Sequence, residues 1–141
     1  MPSDRHRLSR LKRLERVRAM AKQAAAIDAA QAEGTLAQLV ALADRADGLA
    51  THYATRDDAP DALALQQLVR FARGLRQVSD TTRSDAGQAR AVANRKQADL
   101  AQAERRRATV AERVVSEARA AVARRVTPAI GARRAVGTGL E

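Results

Sequence analysis

The chain has no cysteine and no tryptophan, one tyrosine (Tyr53), one phenylalanine (Phe71) and three prolines in 141 residues. Without cysteine, a disulfide scaffold and a cysteine-ligated zinc site are both excluded. With only two aromatic rings, a bulky globular core has little to anchor it. Few β-branched and aromatic residues also argue against sheet. No apolar run approaches the roughly 18 residues of a membrane span. The basic N-terminus is followed by no apolar stretch, so no signal peptide is expected and the expected location is cytoplasmic. Gly137-Thr138-Gly139 lacks the lysine and helix of a phosphate loop. His6 and His52 have neither a carboxylate nor a second histidine four residues on, so no metal site is expected. Asp57, Asp58 and Asp61 are read as turn and capping residues rather than as a cation site. No serine–histidine–acid set stands in a credible context. Neither catalysis nor a cofactor is expected.

What the chain does have is alanine, at 34 residues, with 13 Leu and 11 Val. Alanine is the best helix former. After Pro2, only Pro60 and Pro128 interrupt the chain. They set a first arm at about 4–54, a turn at about 55–60, a second arm at about 61–127 and a glycine-containing tail over 128–141 that is expected to be disordered. In the first arm, Leu8, Leu11, Leu14, Val17, Met20, Ala24 and Ile27 recur every three or four residues. Leu36, Leu39, Ala43, Ala46, Ala50 and Tyr53 continue in a shifted phase, with the break near Gly34. In the turn, Asp58 or Ala59 is expected to cap the next helix, with Pro60 in its first turn.

The second arm carries a 3.5-residue repeat. Over the a and d positions from 65 to 121, twelve of 17 residues are apolar: Leu65, Leu68, Ala72, Leu75, Ala86, Ala89, Ala93, Leu100, Ala103, Val110, Val114 and Ala121. A sustained repeat of that period specifies a left-handed coiled coil. Two such arms joined by a short turn predict an all-α fold, an elongated antiparallel two-helix coiled-coil hairpin occupying residues 1–127. The arms measure roughly 75 Å and 100 Å at 1.5 Å per residue, so the second should overhang the first. Alanine on the seam lets the axes approach to about 8 Å while burying little area per layer.

Lys+Arg number 26 and Asp+Glu 16, a formal net charge of +10. Residues 1–22 hold +6, residues 105–141 another +6, and residues 23–104 only −2. An antiparallel hairpin brings both basic segments to one end, giving a cationic tip for an acidic or phosphate-bearing partner. Nucleic acid is one such partner, as the basic segments would attract phosphate. However, no aromatics interleave with the arginines to stack bases, and no recognition motif occurs.

The pattern resembles the flagellar export protein FliJ and its relatives in type III secretion. The likeness covers about residues 4–127. It rests on the length, the basic leucine-bearing start Arg7-Leu8-Ser9-Arg10-Leu11-Lys12-Arg13-Leu14, and the Gln/Ala-rich first arm ending near Tyr53. The second arm opens Leu68-Val69-Arg70-Phe71 before an Ala/Arg/Glu-rich coiled coil. The resemblance implies a non-enzymatic stalk or adaptor, at the inner face of the cell membrane and without a membrane span. Its partners would be the hexameric export ATPase, the membrane protein of the export gate and substrate chaperones. It implies that Leu8, Arg10, Leu11, Arg13, Leu14, Arg18, Arg113, Arg124 and Arg125 meet the ATPase ring. Leu49, Tyr53, Phe71, Leu75 and Val78 would meet the gate. The residues themselves leave an alternative at the second place, in which Tyr53 and Phe71 simply pack on each other. The alternative for the whole chain is a basic coiled coil that binds nucleic acid.

Overall fold

The computed structural model describes the backbone of residues 2–135 and the side chains of residues 3–127. The fold is all-α: α1 spans Pro2–Ala54 and α2 spans Ala62–Ala135, paired as an antiparallel two-helix hairpin. Contacts group the chain into two compact units. The terminal unit is built from Met1–Ala25 with Leu100–Glu141, and the turn unit is Ala26–Asp99. In a two-helix pairing each layer touches only its neighbours, so contacts stay local and no shared core joins distant layers.

The heptad count of α2 holds in both units. Every a and d position from Leu68 to Ala121 is buried or half-buried, and only Leu65, beside the turn, is exposed. In the turn unit the fully buried seam positions are small residues, with Leu36, Leu39, Tyr53, Leu68 and Leu75 half-buried among them. Ala29, Ala43, Ala46 and Ala50 of α1 are buried with Ala72, Ser79, Thr82, Ala86 and Ala93 of α2. Small side chains allow close approach. The Ser79 hydroxyl, on a one-carbon stem, donates to the backbone carbonyl of Ala43 on the other helix at 3.1 Å. That bond satisfies the most deeply buried polar group of the seam.

The α1 register differs from the expected one between Leu11 and Leu36, while Leu8, Leu11 and the stripe from Leu36 to Tyr53 lie where expected. Its seam positions run Asp4, Leu8, Leu11, Glu15, Arg18, Lys22, Ala25, Ala29, Ala32, Leu36, Leu39, Ala43, Ala46, Ala50 and Tyr53, with Ala19, Ala26 and Val40 half-buried beside them. This alternation of four and three never breaks, and no phase shift occurs at Gly34. Leu14, Val17, Met20 and Ile27 stay on the outside. The physical reason is geometric. A run of threes drifts around the helix, whereas a hairpin seam must hold 3.5 to stay on its partner. Where drift and register conflict, the seam accepts charged residues whose long apolar stems lie along the interface.

The expected helix end at 127 and the disordered tail are corrected for residues 128–135, which continue α2 through Pro128. Proline removes one backbone donor, but the flanking alanine- and arginine-rich sequence has high helix propensity. The end of the expected tail, 136–141, lies outside the described residues.

Gly34, Gly48, Gly74 and Gly87 all lie in helix, and an added Cβ would meet nothing within 4 Å at any of them. Each therefore keeps the backbone freedom of glycine without a packing reason. Gly34→Ala and Gly87→Ala should each raise the unfolding free energy by about 1 kcal/mol. Urea titration followed by helical circular dichroism checks this. A loss of stability would mean that the outer face at these positions is occupied.

Candidate functional site

Two surfaces hold the residues singled out from the sequence, one in each unit. In the turn unit, α1 closes on Thr55, whose N–H and hydroxyl both donate to the Thr51 carbonyl, at 3.1 and 2.9 Å. The chain then reverses through a fork in which Arg56 donates to both carboxylate oxygens of Asp58, at 3.0 and 2.7 Å. α2 is capped by Asp61, whose carboxylate accepts from the Ala64 N–H at 2.7 Å. This corrects the expected cap at Asp58 or Ala59. Pro60 precedes the helix instead of entering its first turn, and Asp58 is engaged by Arg56.

The two aromatics meet here. The Tyr53 and Phe71 rings pack edge-to-face, with centroids 4.9 Å apart at 88°. His52 lies edge-on to Tyr53 at 5.4 Å, and the Arg56 guanidinium lies 5.7 Å from the Tyr53 centroid. Packing does not bury Phe71, which remains 53% exposed. Of the other expected residues, Tyr53 and Leu75 are half-buried on the seam, while Leu49 and Val78 are exposed. An open apolar cleft of about 520 Å³ is lined by Gln67, Arg70, Phe71, Gly74, Leu75 and Val78. Gly74 leaves its floor without a side chain. The heptad count puts Leu42, Leu49, Phe71 and Val78 all at g, which in an antiparallel pair forms one flank. Leu42 is exposed as well and extends this flank. Counting g positions on both arms would have found it.

In the terminal unit Asp4, Glu15 and Glu117 are drawn inward, while Glu104 and Glu112 stay exposed. Arg124 pairs with Asp4 at 2.6 Å and Glu117 at 3.2 Å. Arg7 meets Glu117 at 3.5 Å, and Arg107 meets Glu15 at 3.6 Å. The Nε of Arg107 is buried without a partner. Among the expected residues, Leu8, Leu11 and Arg18 are half-buried on the seam, and the charge of Arg124 is spent on these carboxylates. Arg10, Arg13, Leu14, Arg113 and Arg125 remain exposed. A shallow cleft of about 290 Å³ runs between Asp4, Arg5, Leu8, Ala121, Arg124 and Arg125. The unit has 17 basic and six acidic residues, a net +11, against −1 for the turn unit.

Among the described residues, no group of three histidine or acidic side chains is placed to hold a metal, and no helix is long and apolar enough to cross a membrane.

The hydrogen bond from Arg56 holds the Asp58 carboxyl below the ordinary aspartate value, and the same pair raises the Arg56 guanidinium. A depressed carboxyl stabilises the fold above its unfolded value, and the effect is lost as pH falls through the folded value. Arg56→Gln should therefore raise the Asp58 midpoint in an NMR titration and leave the helices intact. An unchanged midpoint would show that the fork does not form in solution. No family model, curated protein or solved structure matches the chain.

Proposed function

We propose that this chain is a non-enzymatic coiled-coil adaptor that binds protein through both units. Its setting on this reading is a flagellar type III export apparatus, at the inner face of the cell membrane, as the likeness to FliJ implies. The observation that carries the proposal is the segregation of surface chemistry. One unit holds an excess of eleven positive charges, and the other is close to neutral with an exposed apolar flank. A hairpin of only two helices has no interior in which to build a reaction site, but it has two long faces to offer partners. The free arginines Arg10, Arg13, Arg113 and Arg125 suit an acidic surface such as that of the export ATPase ring. The flank of Leu49, Phe71 and Val78 suits an apolar surface such as that of the export gate, with a substrate chaperone as another occupant.

The reading predicts capture of the cognate export ATPase by the purified chain, weakened at least tenfold when Arg10, Arg13 and Arg113 are changed to glutamine. It predicts separate loss of gate binding in Phe71→Ala, because Phe71 is half-exposed and its truncation leaves the alanine seam in place. Failure of the wild-type chain to capture the ATPase, with normal motility after gene deletion, would reject the reading. The excess charge also supports nucleic-acid binding. Retention of duplex DNA below micromolar protein at about 0.15 M salt, falling steeply as salt rises, would favour that alternative.

A further inference from the structure

The outward stripe of the terminal unit is bordered by arginines. Leu14, Val17 and Met20 are 40, 53 and 62% exposed. They continue into the exposed Ala21 and Ala24 on the same side of α1. Arg10, Arg13 and Arg16 border this stripe on α1, all exposed. On α2, the Arg107–Glu15 contact puts Arg106 and Arg113 at the flanking positions on either side of Leu14. None of these five arginines has a carboxylate partner among the described residues. Asp4, Glu15 and Glu117 are held in or beside the seam by Arg7, Arg107 and Arg124, and Glu104 and Glu112 of α2 are exposed acids of the same unit. From Leu14 to Lys22 this arrangement inverts ordinary amphipathicity: charged Glu15, Arg18 and Lys22 face the partner helix, and Leu14, Val17 and Met20 face outward.

We infer that this stripe lies on an anionic lipid surface, with Leu14, Val17 and Met20 entering the boundary between headgroups and acyl chains and the five arginines meeting the headgroups. A helix with an apolar stripe and cationic borders lies in the interface plane, burying its apolar side roughly 5–10 Å deep. Clusters of four to eight basic residues on such a helix select anionic lipid. The shape of the surface favours a bilayer over a partner helix. A docking helix seats in a groove with two apolar walls, but here the α2 side of the stripe is Arg106 and Arg113. A single ridge fits a broad, fluid surface better. Nucleic acid would engage the arginines and leave the three apolar side chains without a role.

The test is flotation of the full chain with vesicles of equal phosphatidylglycerol and phosphatidylcholine, and with vesicles of phosphatidylcholine alone, at about 0.15 M salt. Binding is expected only to the anionic vesicles. The triple variant Leu14→Gln, Val17→Gln, Met20→Gln should bind at least about tenfold more weakly while keeping its helix content, because its side chains lie outside the seam. The chain lacks cysteine, so Val17→Cys carries a polarity-sensitive dye at one place. Its emission should shift to the blue on anionic vesicles, and that of Val122→Cys, exposed on the other helix of the same unit, should not. Wild-type affinity in the triple variant, or a dye at Val17 that stays in water, would overturn the inference and reduce the effect to charge attraction. Absence of binding to anionic vesicles would overturn it too. Arg10, Arg13 and Arg113 serve both this inference and the proposed capture of the ATPase, and the triple variant, which keeps all three, separates the two: it should lose lipid binding and still capture the ATPase.

Discussion

Close approach of two helix backbones along an alanine seam is the constraint on which the structure depends. In the turn unit that seam is made of Ala29, Ala43, Ala46, Ala50, Ala72, Ala86 and Ala93. At the Ala43–Ser79 layer both side chains are small, so the serine hydroxyl can reach across to a main-chain carbonyl. Each layer removes little apolar surface from water, roughly 25 cal/mol for each Å². Stability must therefore accumulate over many layers, and the register has to persist. A single slip would replace alanines by long side chains and push the helices apart.

That persistence explains the unusual features of the terminal unit. Beyond Leu11 the large apolar residues of α1 leave the seam there, so Glu15, Arg18 and Lys22 occupy it. Buried or half-buried charges are tolerated when they are paired, and Glu15 and Glu117 each have an arginine across the hairpin. Drawing these acids inward leaves an outer surface dominated by arginine, with Leu14, Val17 and Met20 set among them. The strongly cationic surface and the exposed apolar stripe thus have the same cause. In the turn unit the alanine seam again leaves larger apolar residues to the flank, where Leu42, Leu49, Phe71 and Val78 stay exposed.

The fold was legible in the sequence because period and punctuation agreed. Pro60 and the acidic cluster marked the turn. The α2 heptads from Leu68 to Ala121 could be counted without ambiguity, polar members included: Ser79, Thr82, Lys96, Arg107 and Glu117 all face α1. The α1 register was legible only in part. Leu8, Leu11 and the stripe from Leu36 to Tyr53 lie on the seam as expected, but between Leu14 and Ile27 the larger apolar residues mark the outer face and smaller or charged ones mark the seam, so there a rule that follows hydrophobicity selects the wrong side. The cap was missed for a related reason. Three aspartates in five residues compete for one helix end, and only the Arg56–Asp58 fork decides among them. At the apolar flank, Leu49, Phe71 and Val78 were named through the resemblance to FliJ. Leu42 was passed over because the flank depends on both arms being in register.

The central claim is that α1 keeps one unbroken 3.5-residue register, with Ala29 on the seam and Ile27 outside it. Alkylation of single-cysteine variants Ile27→Cys and Ala29→Cys measures this most directly, since the chain has no other thiol. The account predicts that the thiol at 27, where the native side chain is 53% exposed, reacts like that of an unfolded peptide. The thiol at 29, where the native side chain is 2% exposed, should react at least about tenfold more slowly, its modification limited by local opening. Equal rates, or faster reaction at 29, would contradict it.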